Sequence, residues 1–250
     1  IGLQSANDGE RRILGRRAGK SEVQSVVSRA KNAGINNISL DVMLGVPGQT
    51  KESLKSTLDF CISSGVPHLS CYILKIEENT PFFRMRDKLP FPSDDDTADM
   101  YLFMCEYLEE HGIMQYEISN FAVPGFESRH NLKYWHDEEY LGIGASAHSF
   151  LGGKRTYYPR DIEYFISGNE RLTEGDGGDE EEFCMLALRL REGLTQERFY
   201  ARFHHEIPQK MLESAKQYEK YGLCRCESGG ISLTRRGFLL SNSVISEIIL

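Results

Sequence analysis

"NISLDVMLGVPGQT", Asn37 to Thr50, is the stretch whose reading decides the fold. Ile38, Leu40, Val42 and Leu44 alternate with Ser39, Asp41, Met43 and Gly45, the period-2 pattern of a strand with two unlike faces. The turn "VPGQT" follows, and Thr50 can cap a helix in which Leu54, Leu58, Cys61 and Ile62 share a face before Gly65 ends it. Leu69 to Ile76 reads as the next strand. Working back, Ser21 and Gln24 form a capping-box pattern, and Val23, Val26, Val27 and Ala30 recur at helical spacing until Gly34. Asn7 with Glu10 marks an earlier helix start and Gly15 its stop, and Ile1 to Gln4 is a short strand. Strand, helix, strand, helix, strand at this spacing predicts parallel strands with right-handed crossovers. If the sheet closes into a barrel, Leu40, Val42 and Leu44 face the covering helices, while Ser39, Asp41 and Met43 point inward. A carboxylate there needs a partner or a ligand, because an unpaired buried charge is very costly.

Working forward, Ser93 followed by Asp94, Asp95 and Asp96 is an N-terminal helix signal, with Ala98, Tyr101, Leu102, Cys105 and Leu108 as the buried face and Gly112 as the stop. Tyr116 to Val123 reads as one strand. "EGDGGDEEE" at 174–182 reads as a polar linker into a helix from about Glu180 to Arg191. The tail is then helix, helix, hairpin, helix, with the hairpin turn at Ser228 to Gly230 and Thr234 capping the last helix. That order predicts a small, winged-helix-like module.

The 250 residues are enough for a large core, and the net charge of −8 disfavours nucleic acid as a partner. From Asp179 onward, 11 acidic residues balance 10 basic ones, so the winged-helix-like tail lacks a basic face. No apolar run is long enough to span a membrane, and there is no signal peptide pattern, so a soluble, cytoplasmic protein is expected. The six cysteines, Cys61, Cys71, Cys105, Cys184, Cys224 and Cys226, are dispersed and expected to be reduced. Cys224 and Cys226 form a C-x-C pair that reads as plain strand residues rather than metal ligands.

Two further stretches stand out. "RHNLKYW", Arg129 to Trp135, holds the only tryptophan. "GIGASA" scans as a dinucleotide fingerprint but follows the polar "WHDEEY" rather than a strand, so that reading is rejected.

"IGLQS", "LGR", "NISLDVMLGVPGQT", "HLSCYILKIEENTPF", "YEISNFA", "HNLKYW", "YLGIGASAHS" and "LTRRGFLLSN" occur in the order seen in the radical SAM proteins related to oxygen-independent coproporphyrinogen III oxidase (HemN/HemW). The chain resembles most the haem-chaperone branch, HemW. The resemblance implies an α/β fold: the C-terminal half of a partial (β/α)6 radical SAM barrel followed by a small, mainly helical, winged-helix-like domain. It divides the chain into 1–112, the later half of the barrel; 113–177, a barrel extension; and 178–250, a HemN-type C-terminal domain. It implies S-adenosylmethionine (SAM) and a [4Fe-4S] cluster held by a C-x3-C-x2-C motif. That motif is absent, since the cysteine gaps are 10, 34, 79, 40 and 2 positions. A C-terminal fragment, with the motif upstream of Ile1, is therefore expected. Alone it is expected to be isolated with no bound cluster or other cofactor and to perform no radical chemistry, because the electron that cleaves SAM comes from the cluster.

Residue by residue, the resemblance puts SAM on Gln4, Arg16 and Asp41, with Met43, Leu74 and His148 beside the adenine. Arg can hold the SAM carboxylate bidentately, and Asp can accept from ribose hydroxyls. It also makes H-N-x-x-Y-W a haem-binding motif, with His130 the candidate iron ligand and Tyr134 and Trp135 offering flat apolar area to a macrocycle. Ala18 stands where relatives often have His in L-G-R-x-H, and Leu44 where Tyr is common before Gly. Three functions compete: haem binding and delivery; oxidative decarboxylation of coproporphyrinogen III to protoporphyrinogen IX; and a non-catalytic binding module on the tail. "HNLKYW" favours the first, because it suits finished haem rather than a porphyrinogen. Haem or porphyrinogen, an unidentified haem-accepting protein and a second copy paired through an exposed strand edge are the expected partners.

Overall fold

The computed structural model describes residues 1–250. Its first unit, Ile1–Glu127, is organised on one five-stranded sheet. In chain order it comprises β1 (Gly2–Gln4), α1 (Asp8–Ile13), α2 (Lys20–Asn32), β2 (Ser39–Leu44), α3 (Lys51–Ser63), β3 (His68–Ile73), α4 (Pro81–Met85), α5 (Asp94–Glu110), β4 (Met114–Gln115) and β5 (Asn120–Ala122). The strand order is β1-β2-β3-β5-β4.

The alternation around Asp41 is realised as expected. Leu40, Val42 and Leu44 are fully buried while Ser39, Asp41 and Met43 are half-buried. Each of the three apolar side chains contributes about 1.5–3 kcal/mol relative to exposure. α3 and α5 pack against β2, and Leu54, Leu58 and Cys61 of α3 have no exposed surface. Thr50 caps α3 by accepting from the Ser53 amide, and Asn7 caps α1 by accepting from Gly9 and Glu10. β1, β2 and β3 are parallel, with six matched residue pairs between β2 and β3 from Ser39↔His68 to Leu44↔Ile73.

The sheet departs from the expected parallel series beyond β3. β5 runs antiparallel to β3, and β4 antiparallel to β5. Tyr116 to Val123 is therefore not one strand: residues 116–119 make the turn of a short hairpin, in which the Tyr116 amide donates to the Asn120 carbonyl. β3 ends at Ile73 rather than Ile76. The cap of α2 also differs, because Glu22 reaches back to the Gly19 amide at 2.9 Å and starts the helix before Ser21. On α5 the buried face is Met100, Tyr101, Met104, Cys105 and Leu108, leaving Ala98 and Leu102 half-buried at its margins. Ser93 caps that helix as expected.

The second unit, Ser128–Leu250, comprises α6 (Arg129–Trp135), β6 (His148–Leu151), β7 (Lys154–Tyr157), α7 (Ile162–Ile166), β8 (Leu172–Asp176), α8 (Glu180–Ala187), α9 (Gln196–Phe203), α10 (Gln209–Glu219), β9 (Cys224–Arg225), β10 (Ser232–Leu233), α11 (Arg235–Leu239) and α12 (Ser241–Ile249). β6, β7 and β8 form an antiparallel sheet. The expected polar linker at 174–182 begins inside β8, and α8 stops at Ala187, short of Arg191. From α9 the chain follows the anticipated helix, helix and hairpin, with Ser228 and Gly229 at positive φ in the β9–β10 turn, but the single last helix expected is two: Thr234 accepts from the Gly237 amide and caps α11, and α12 follows from Ser241. All six cysteines are free thiols. Burial pushes Cys61, Cys184 and Cys224 up to about 12, so these thiols stay protonated at neutral pH.

Candidate functional site

In the first unit the face of β2, β3 and β5 that carries Asp41, the inward face of the expected barrel, is polar. Asp41 sits beside Ser70 in register, and Ser39 beside His68. Ser39 Oγ lies 2.8 Å from His68 Nδ1, and His68 Nε2 lies 2.8 Å from the Tyr116 hydroxyl. Ser70 Oγ donates to Asn120 Oδ1 at 2.6 Å. Burial holds the His68 imidazole below its ordinary value, against the opposing pull of Asp41 and Glu127, which favours the neutral ring.

Gln4 ends β1 at a φ of 66° with its side chain buried. Its Nε2 and Asp41 Oδ2 lie 3.2 and 3.8 Å from the place a β-carbon on Gly2 would occupy, so the structure brings Gln4 and Asp41 to one spot. Gln4 Oε1 is buried there without a hydrogen-bond partner. Met43 follows on the same face, and Leu74 lies just past β3, its amide bonded to the Leu44 carbonyl at 2.8 Å. Arg16 is not brought in by any bond: its side chain is exposed, and only its backbone amide is engaged, by Arg11 O. His148 belongs to the second unit, in β6, where it is exposed, stacked on Tyr157 at 5.4 Å and bonded through Nδ1 to Glu174 at 3.1 Å. These three residues line part of a cavity of about 470 Å³.

Residues that sequence reasoning passed over hold the "GVPGQT" loop. Gln49 is buried, accepts from the Gly45 amide at 2.8 Å and donates to Met43 O at 2.9 Å. Its Nε2 also reaches Glu10 Oε2 at 3.3 Å, and Glu10, itself buried, accepts from Ser5 Oγ at 2.6 Å. Gly45 and Gly48 both take positive φ, so they serve a tight turn. A glutamine following Pro-Gly was the available signal, since its amide can bond two backbone groups at once.

In the second unit, α6 carries the whole "RHNLKYW" stretch and is capped by Ser128, which accepts from the Asn131 amide. His130 and Tyr134 are one turn apart: the imidazole Nε2 and the phenol oxygen lie 2.9 Å apart, and the rings meet edge to face at 5.0 Å. His130 is exposed, while Tyr134 and Trp135 are half-buried. The Arg189 guanidinium sits 5.9 Å from the Trp135 ring centre. Tyr140 packs edge to face on Tyr134 at 4.5 Å. Directly after the helix, Asp137 takes a φ of 52° with its carboxylate fully buried. Burial pushes that carboxyl up to about 6, opposed by Arg202 and Arg155.

The donor sets suit different groups. An accessible imidazole bonded to a phenol suits a flat macrocycle with an axial nitrogen ligand. Gln4 Oε1 and the Asp41 carboxylate are acceptors suited to the hydroxyl and ammonium groups of SAM. An iron-sulfur cluster does not fit the residues present: no three His, Cys, Asp or Glu side chains group as ligands would, and five of the six thiols are buried.

The radical SAM superfamily model matches residues 1–61, and the HemN C-terminal domain model matches residues 180–240. The heme chaperone HemW of Bacillus subtilis is 34% identical over an alignment covering 100% of this chain and 68% of its own length. The heme chaperone HemW of Lactococcus lactis is 33% identical, with the same two coverages. The mitochondrial radical S-adenosyl methionine domain-containing protein 1 of Danio rerio is 30% identical, with 61% of its length covered. Among solved structures, coproporphyrinogen III oxidase (HemN) from Escherichia coli, a radical SAM enzyme, superposes with a TM-score of 0.78 over 99% of this chain and 62% of its own, at 19% identity. That likeness is one of fold. The chain thus spans roughly two thirds of the length of the relatives it matches.

Proposed function

The chain belongs to the HemW family of radical SAM proteins, and from that premise we propose that it binds haem as cargo at the exposed end of α6, with His130 the iron ligand. The observation that carries this reading is the His130–Tyr134 pair: an accessible imidazole held by a phenol one turn away. A neutral imidazole nitrogen is an ordinary axial ligand, and the aromatic side chains give a porphyrin flat apolar contact. Haemin titration followed by visible absorption tests it. A saturable Soret band is expected in the wild type, weakened or shifted in His130→Ala. A band of equal affinity and position in the variant removes His130 from the role.

We place SAM on the inward face of the first unit, on Gln4 and Asp41, with Met43 and Leu74 toward its adenine and Arg16 and His148 assigned by resemblance alone. The unpartnered Gln4 Oε1 beside the Asp41 carboxylate supports this. When bound with a cluster, SAM supplies a radical precursor; this chain's own contribution is to hold and orient it. Isothermal titration with SAM is expected to give saturable heat that Asp41→Asn reduces. Absence of saturable heat in the wild type would remove the assignment from these residues.

A further inference from the structure

We propose that Asp137 is a positioning residue for His130, acting through a line of contacts in which Asp137 holds Arg155, Arg155 holds the Tyr140 hydroxyl, Tyr140 sets the ring of Tyr134, and Tyr134 bonds the imidazole. Its importance to haem rests on the reading above; the positioning itself does not.

Each link is present in the second unit. Asp137 Oδ1 accepts from Arg155 Nη2 at 3.3 Å, and Oδ2 from Arg202 Nη2 at 3.0 Å. Arg155 Nη1 reaches the Tyr140 hydroxyl at 3.3 Å, Tyr140 packs on Tyr134 at 4.5 Å, and Tyr134 lies 2.9 Å from His130 Nε2. Asp137 also touches the helix directly, because its amide donates to the Tyr134 carbonyl at 3.1 Å.

The surroundings make this one carboxylate hard to replace. Glu182 takes Arg155 Nη2 at 2.6 Å, but Asp137 is the group that bridges both guanidinium ions. If Asp137 becomes neutral, the two cations are no longer joined, and Arg155 is drawn toward Glu182 alone. The 3.3 Å bond to Tyr140, long for a hydrogen bond, is then the first to break. Gly178 leaves the space for this bridge: a β-carbon there would fall 2.5 Å from Arg202 Nη2 and 3.2 Å from Asp137 Oδ2. The groups facing Asp137 are thus Arg155 of β7, Arg202 of α9, Glu182 of α8 and Asp179 at that helix's cap. A partner that fixes the tautomer and orientation of a metal-ligating imidazole typically changes metal affinity by about 10–100-fold when it is lost.

The test reads His130 directly. Asp137→Asn keeps the side chain's size and suits the left-handed φ, while removing the charge. In two-dimensional NMR of the haem-free protein, the His130 ring resonances of Asp137→Asn should move toward those of Tyr134→Phe. Haemin affinity should fall by about tenfold, and Asp137→Asn should add little in a Tyr140→Phe background, as expected for groups acting in one line. His130 resonances unchanged in Asp137→Asn would overturn the proposal. If that variant fails to fold, Arg155→Lys serves instead, since one ammonium cannot reach both Asp137 and Tyr140; it should produce the same shift, and its absence would equally overturn the proposal. If the ring resonances move but the wild type binds no haemin, the positioning stands and the haem reading falls.

Discussion

Phe199→Ala is expected to lower the stability of the second unit by about 3–5 kcal/mol. Phe199 has no exposed surface and sits at the centre of an aromatic cluster, with Phe203 at 4.9 Å, His205 at 5.3 Å and Phe183 at 6.3 Å between ring centres. Truncation removes the transfer free energy of a full ring and leaves a cavity that three surrounding rings cannot fill without leaving their own contacts. Tyr200, next in sequence on α9 but 55% exposed, is the control, and its truncation should cost about 0.5 kcal/mol or less. Denaturant unfolding followed by circular dichroism measures both. A Phe199→Ala protein within about 1 kcal/mol of wild type would mean that the cluster is not the core it is taken to be.

Gly142→Ala should be nearly as damaging, at about 2–3 kcal/mol, and for the opposite reason, since the added methyl has no room. A β-carbon at Gly142 would stand 2.1 Å from the His148 carbonyl oxygen and 3.0 Å from the Ala147 side chain. The obstacle is backbone, and it cannot give way cheaply, because the Gly142 amide is bonded to Ser149 Oγ and its carbonyl to Arg171. Gly144 is the contrast. Its φ of 115° penalises a side chain, but nothing lies within 4 Å of the position, so a loss at Gly144 reports strain alone. Unfolding of the two alanine variants side by side should rank Gly142 as the costlier. The reverse order would remove the close approach as the reason for that glycine.

The same run shows where sequence reading succeeds and where it stops. A glycine that admits a neighbouring carbonyl and one that admits a pyrophosphate look alike in one dimension, and only the polar residues before "GIGASA" argued against a nucleotide. The alternation around Asp41, the Thr50, Ser93 and Thr234 caps and the β9–β10 hairpin were legible because each is a local pattern with a local cause. The α2 start was not, since a glycine cap has no side chain to recognise and the work is done by Glu22. Nor was the β4–β5 hairpin, whose turn carries no glycine or proline. The β6–β8 sheet escaped notice because its strands carry mixed, half-exposed side chains rather than a clean two-residue period. At the candidate haem site, His130 and Tyr134 could be paired from their four-residue spacing alone. Arg155, Glu182 and Arg202 could not be linked to Asp137, because no pattern along the chain relates residues 18, 45 and 65 positions away.

The Ser39–His68–Tyr116 and Ser70–Asn120 bonds also answer a question of alignment. Parallel strands have no tight turn between them to dictate which residue sits opposite which. Sliding β3 by one position would turn its polar side chains toward the helices and set Leu69 and Cys71 on the inward face. The buried imidazole would lose both its hydroxyl partners in the same step. That row of bonds therefore works as a key cut for a single lock position, and it penalises every mispaired sheet before any ligand arrives.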